Sequence, residues 1–187
     1  NPDYLALRRP ADAYRHAELV ERPNGDWAYT IARHYLYDLA DAARLEALSG
    51  SSYPALAGIA RKMAREEHYH RLHGEMWWER LETGSDESRE RLVDAARALA
   101  PLFGRLFSVT DGQEMLLVEG ILPASPASLH MTWRAQTRPM LAALDPTLDR
   151  LLDSASEPSR ARRVSADFLA LHGEMTMVSA SGLGERW

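Results

Sequence analysis

The segment AREEHYHRLHGEMWWERL, residues 64–81, decides the reading of this chain. It contains no turn signal and continues a helical pattern that starts near Pro54. On a wheel of 100° per residue, Leu56, Ile59, Met63, Gly74, Trp77 and Leu81 form one stripe, which predicts the core-facing side. Glu67 and His70 fall inside that stripe, Glu66 and His73 at its margin, and His68 on the opposite side. A carboxylate and an imidazole three residues apart stand one above the other on a helix, so both can reach one metal ion, or each other. Di-iron carboxylate bundles take two ligands from such a Glu-x-x-His pair and a single carboxylate from an antiparallel neighbour. Oxygen and nitrogen donors suit iron or manganese.

The preceding helix offers that carboxylate. The turn PNGD at 23–26 supplies caps, and a helix is predicted over 27–48 with Ala28, Ile31, Ala32, Tyr35, Leu39, Ala42 and Ala43 on its apolar face. Asp38 lies seven residues from both Ile31 and Leu45 and borders that face. His34 stands one turn before it, where it could orient the carboxylate or face solvent. The break SGSSYP at 49–54 is short, so the two helices are expected as antiparallel neighbours presenting Asp38, Glu67 and His70 to a common interior. Two readings stay open for these three residues. They are half of a metal site, or an unmetallated network in which each buried charge finds a hydrogen-bond partner. The later helices hold no second Glu-x-x-His pair: Glu114, Glu119, Asp167, His172 and Glu174 lie scattered.

Further along, a third helix is predicted over 86–107 and bent by Pro101, a short helix between Asp111 and Pro123, and a fourth helix capped by Ser125. The stretch DPTLDRLLDSASEPS reads as a loop, and a last helix is expected over about 159–179. Strand signals are nearly absent. The reading is all-α, a single helical domain over 1–187, with an irregular N-terminal segment, 1–25, leading into the bundle. Large apolar residues around Trp77, Trp78, Trp133 and Met140 exceed what one bundle face needs, which predicts a partner face and an oligomer.

Composition narrows the chemistry. The 187 residues carry 22 basic and 27 acidic side chains, a net charge of −5, which argues against a nucleic-acid partner. There is no cysteine, so thiolate nucleophiles, disulfides and cysteine-bound metal clusters are excluded within the chain. No apolar run approaches the ~20 residues of a membrane span. A cytoplasmic location is the expectation.

The stretches ERPNGDWAYTIARHYLYDLADAARLEAL and AREEHYHRLHGEMWWERLETG, with VEGILPASPASLHMTWRAQTRPMLAALD and the terminal Trp187, resemble the family of C subunits of phenylacetyl-CoA epoxidases (ring 1,2-oxygenases) of bacterial phenylacetate catabolism. The resemblance covers nearly the whole chain and is strongest over Glu21–Gly84. It implies a ferritin-like bundle. It implies a complex that oxidises the aromatic ring of phenylacetyl-CoA with O₂ and electrons from a reductase subunit. The di-iron site belongs to the catalytic A subunit. The C subunit pairs with A, and through it with the small B and reductase subunits, as a structural support. No catalytic residue and no cofactor are then expected in this chain. The alternative is a di-iron oxygenase or oxidase active in its own right, with iron here. Family members also have a first hairpin before the position of Asn1, so the resemblance implies a bundle larger than these residues. Glu67 makes the Glu-x-x-His pattern more intact than in C subunits generally, and VSADFLALHGEMT departs from a more glycine- and histidine-rich family segment.

Overall fold

The computed structural model describes residues 4–14, 16–154 and 164–180. They fall into two compact units: one spans Asn24–Arg160, and the other joins residues 1–23 with 161–187.

In the larger unit, α1 (Trp27–Leu48) begins where Asp26 accepts from the Tyr29 N–H at 2.8 Å. An Asp at this position satisfies one of the donors that the first turn leaves open. α2 (Pro54–Thr83) carries Pro54 in its first turn, where the missing N–H costs nothing. α3 (Asp86–Phe103) is capped by Ser85, which accepts from the Ser88 N–H at 3.2 Å. It passes through Pro101 and tightens at once into a 3-10 turn, Gly104–Phe107, where the sequence predicted one bent helix. α4 (Gln113–Val118) is short. α5 (Pro126–Leu144) starts at the predicted Ser125 cap.

α1 is the central helix, packed by α2, α3 and α5, and α6 (Pro146–Ser154) closes against α3 and α5. Most of the stretch expected as a loop, Pro146–Ser154, is therefore helical; residues 155–159 of that expectation lie outside the described residues. Its signals were Pro146 at a first-turn position, Asp145 accepting from the Thr147 N–H at 2.7 Å, and Leu148 and Leu152 one turn apart, both buried. Among the described residues there is no strand, and the fold is the all-α, ferritin-like bundle that the sequence predicts.

Two further expectations are corrected. The α2 residues that are buried are Ala57, Ala60, Glu67, Gly74 and Trp78, a narrow seam at three-, four- and seven-residue spacing. Ile59 and Met63, placed by sequence on the core stripe, are exposed. Small side chains let the two backbones approach, and they fix the rotation of α2 about its axis. The large apolar residues lie about a quarter turn away. Trp78 and Trp133, read as partner-face residues, are core, 3% and 0% exposed. The Trp133 indole N–H donates to the Leu36 carbonyl of α1 at 2.9 Å, which gives its polar tip a partner inside the core.

In the smaller unit, α7 (Ala166–Ala180) stands where a last helix was expected; residues 159–163 of that expectation lie outside the described residues. The segment before Asn24 forms one short π-helical turn, Tyr4–Arg8, and two 3-10 turns, Ala11–Ala13 and Glu18–Glu21.

Candidate functional site

Two antiparallel helices build the site. α1 carries His34 and Asp38 one turn apart, and α2 carries Glu67 and His70. Ala60 and Gly74 hold α2 close to α1, and that approach takes Glu67 below the surface, to 8% exposure. His70 Nδ1 lies 3.1 Å from Glu67 Oε2. This hydrogen bond, above all, raises the His70 pKa over the ordinary imidazole value, and burial opposes it. The His70 side chain is nevertheless 64% exposed, against 10% for Glu67. The expectation of three residues in the interior is corrected at His70. It sits about 60° round the helix from Glu67 and so on the rim, because the seam centres on Ala60 and Glu67.

Asp38 is half-buried. Its carboxyl is pushed up to about 7, first by burial, then by the like charge of Glu67, with Asp41 adding and His70 opposing. Burial, then Arg33, His70 and His73, lower the His34 pKa. Burial, then Asp41, raise the Tyr37 phenol, and Glu67 and Asp38 add to that shift. His34, Tyr37, Asp38, Glu67 and His70 therefore share one electrostatic neighbourhood. A carboxyl titrating near neutrality beside a buried carboxylate is how two like charges avoid ionising together.

Glu67 Oε1 is buried and has no hydrogen-bond partner. Such an oxygen calls for a proton or a donor. Among the described residues, however, no three His, Asp or Glu side chains converge so as to hold a metal ion. Glu67 and His70 meet each other, and Asp38 does not complete a ligand set with them. As placed, the three residues fit a hydrogen-bonded pair with a proton-holding neighbour rather than an iron ion. On the other flank of Glu67, a cavity of about 190 Å³ opens among α1, α2 and α5, with Glu46, His68, Arg71 and Gln136 on its walls.

A second polar cluster, in the smaller unit, escaped the sequence reading. Glu21 is 4% exposed. Its carboxylate lies 2.5 Å from His16 Nε2 and accepts from the Ser165 hydroxyl. Ser165 Oγ in turn accepts from the Phe168 N–H at 3.0 Å and so starts α7. Arg22 adds an ion pair to Asp167 at 2.9 Å. A serine three residues before Phe168 was the one local signal; nothing in residue spacing pairs position 21 with position 165.

A family model for the Phenylacetic acid catabolic protein matches residues 1–187. Among curated proteins, the chain is 35% identical over 134 residues to the C subunit of 1,2-phenylacetyl-CoA epoxidase of Escherichia coli (strain K12). That match covers 72% of this chain and 54% of the relative, so the chain spans about half the length of the curated protein it matches. With residues 1–187 matched by the family model, this chain belongs to the phenylacetic acid catabolic protein family.

Proposed function

We propose that the chain is a structural, non-catalytic subunit of a multicomponent phenylacetyl-CoA epoxidase, pairing with the di-iron catalytic A subunit and supporting it in the cytoplasm. The observation that carries this reading is the state of the Glu67–His70 pair. One residue is buried, the other faces solvent, and the two are hydrogen-bonded to each other with no third ligand beside them among the described residues. Oxygen activation at a di-metal centre needs two ions held with open coordination positions. One helical hairpin offers at most half of such a ligand set. The pair and Asp38 then act in the hairpin itself: Asp38, on α1, takes up a proton beside the charge of Glu67, on α2, and that coupling holds the two helices in register.

The intact Glu-x-x-His spacing favours a second reading, a di-iron enzyme in its own right. Metal analysis separates the two. The chain is purified after expression with iron, alone and in complex with the catalytic subunit, and turnover is measured with wild type and His70→Ala. Substoichiometric iron in this chain, with turnover unchanged once the complex is assembled, is the expected result. Iron bound here, lost in the variant together with turnover, would overturn the structural role.

A further inference from the structure

A second cavity, of about 150 Å³, lies at the C-terminal end of α1, between that helix, the 3-10 turn Gly104–Phe107, α4 and the start of α5. It shares no lining residue with the cavity beside Glu67. Most of its wall is apolar, with Leu48, Leu106, Phe107, Leu122, Pro123 and Leu129. The loop that carries Leu122 and Pro123 is pinned to the turn between α1 and α2. The Ser51 hydroxyl donates to the Ile121 carbonyl at 2.7 Å, and the Ser52 N–H to the Gly120 carbonyl at 2.9 Å. A wall fixed in this way resists the collapse that would otherwise close the space. The polar groups at the cavity are donors. Arg44 stands over the Phe107 ring, 5.3 Å from its centroid, and donates to the Leu106 carbonyl, so its guanidinium lies at the wall these two residues form. Its contact with Asp41 is loose, 3.4 Å against the ~2.8 Å of a strong charge-assisted bond, and the rest of its N–H fork is open. Gln113 Oε1 accepts from the Thr110 N–H at 3.0 Å, which leaves the amide NH₂ to donate. Among the described residues, no acidic side chain lines the cavity.

We propose that this cavity binds a small aromatic carboxylate, a single ring among the leucines and prolines with its carboxylate on Arg44 and Gln113. Volume, rigidity and charge select that class. A cavity of about 150 Å³ walled by leucine and phenylalanine is the size that takes one benzene ring inside a globular protein. Pro123 and Pro126 add stiff walls. A flat, rigid body fills such a space without the rotamer entropy that an alkyl chain of the same size loses. Donors without a facing carboxylate select an anion, and the planar fork of Arg44 matches the two oxygens of a carboxylate. Apolar walls with a few convergent polar groups at one side are the usual make-up of a small-molecule site. The inference goes beyond a structural role in an epoxidase and does not rest on it. A chain without a catalytic centre can still carry a site for an aromatic acid, and the bound acid would tie the end of α1 to α4 and α5.

Titration calorimetry of the whole chain with benzoate tests it. A ligand this small should bind with a Kd on the order of 0.1–1 mM. Benzyl alcohol keeps the ring and lacks the charge, and hexanoate keeps the carboxylate on a flexible chain; each should bind about tenfold more weakly. Two variants locate the site. Arg44→Met should weaken benzoate by about tenfold or more and leave benzyl alcohol unchanged, so that the preference for the acid disappears. Ala47→Leu, which fills the cavity from α1, should abolish binding of both at unchanged helical circular dichroism. Arg44 also holds the Leu106 carbonyl. Should Arg44→Met fail to fold, Gln113→Leu takes its place, with a severalfold loss of benzoate expected and none of benzyl alcohol. No benzoate binding at millimolar concentration overturns the proposal, as does hexanoate binding as tightly as benzoate. Benzoate binding that survives Ala47→Leu puts the acid elsewhere on the protein and overturns the site. These outcomes are independent of whether the chain assembles with a catalytic subunit, so the proposed function stands or falls separately.

Discussion

A Cβ added to Gly74 on α2 would come within 2.7 Å of Tyr35 Cδ2 on α1. The two helices are this close at that point because position 74 has no side chain. Overpacking such a seam costs about 1–3 kcal/mol, while alanine gains about 1 kcal/mol of helix propensity over glycine. Gly74→Ala should therefore lower stability by about 1 kcal/mol net. Gly58 on the same helix has nothing within 4 Å of the added atom, so Gly58→Ala should raise stability by about 0.5–1 kcal/mol. Urea unfolding of the two variants reads both signs. A stabilised Gly74→Ala would show that the seam has room.

The two buried indoles should respond differently to Phe. Trp133 donates to the Leu36 carbonyl, whereas Trp78 Nε1 has no hydrogen-bond partner. Trp133→Phe loses a made hydrogen bond on top of the lost volume, about 1 kcal/mol more than Trp78→Phe, which removes an unsatisfied donor. Thermal melts of the two variants give the difference, and equal losses would count against the Trp133 bond.

Asp38 should make stability fall with rising pH. Its carboxyl is raised from 3.8 to about 7 in the folded chain. Between those values the folded state binds more protons than the unfolded one, so stability drops as pH climbs through the window, and the full penalty applies above it. Asp38→Asn removes that penalty. The full shift would correspond to ~4 kcal/mol at 1.36 kcal/mol per unit. Solvent screening of a half-buried group reduces this to about 1–2 kcal/mol at alkaline pH. Near pH 4 the variant and wild type should match. A variant less stable than wild type at about pH 8 would place Asp38 in a stabilising ionic contact instead.

His70 has the opposite sign. Its raised pKa, from 6.5, contributes stability that is present below the unfolded value and lost as pH rises through the folded one. His70→Ala should be more destabilising in mild acid than in mild base. The imidazole is largely exposed, so the difference should stay below ~1 kcal/mol. Chemical denaturation at the two pH values reads it, and a pH-independent loss would mean that the Glu67 contact is not ionic.

Much of the bundle was legible in the chain itself. Asp26, Ser85 and Ser125 each sit where a local rule puts a cap, and each accepts the expected backbone N–H. Asp145-Pro146 carried the same signal for α6, outweighed by the polar residues that follow. The Glu67–His70 contact was also legible, because three residues along a helix always stack.

What the sequence determined by itself was therefore local: where helices start and stop, the i, i+3 pair, the absence of cysteine chemistry, and the family to which the motifs belong. Only the tertiary structure decided which side of α2 is inside. Ile59 and Met63 are as apolar as any core residue, yet the close approach at Gly74 and Tyr35 turns α2 until Ala60 and Glu67 face α1 instead. Helix rotation is set by how near two backbones can come, and that depends on a partner surface no single helix encodes. The same holds for Glu21 and Ser165, which meet across 144 residues of sequence. Backbone propensity acts over a few residues, whereas burial and charge pairing act over whatever the folded chain brings together.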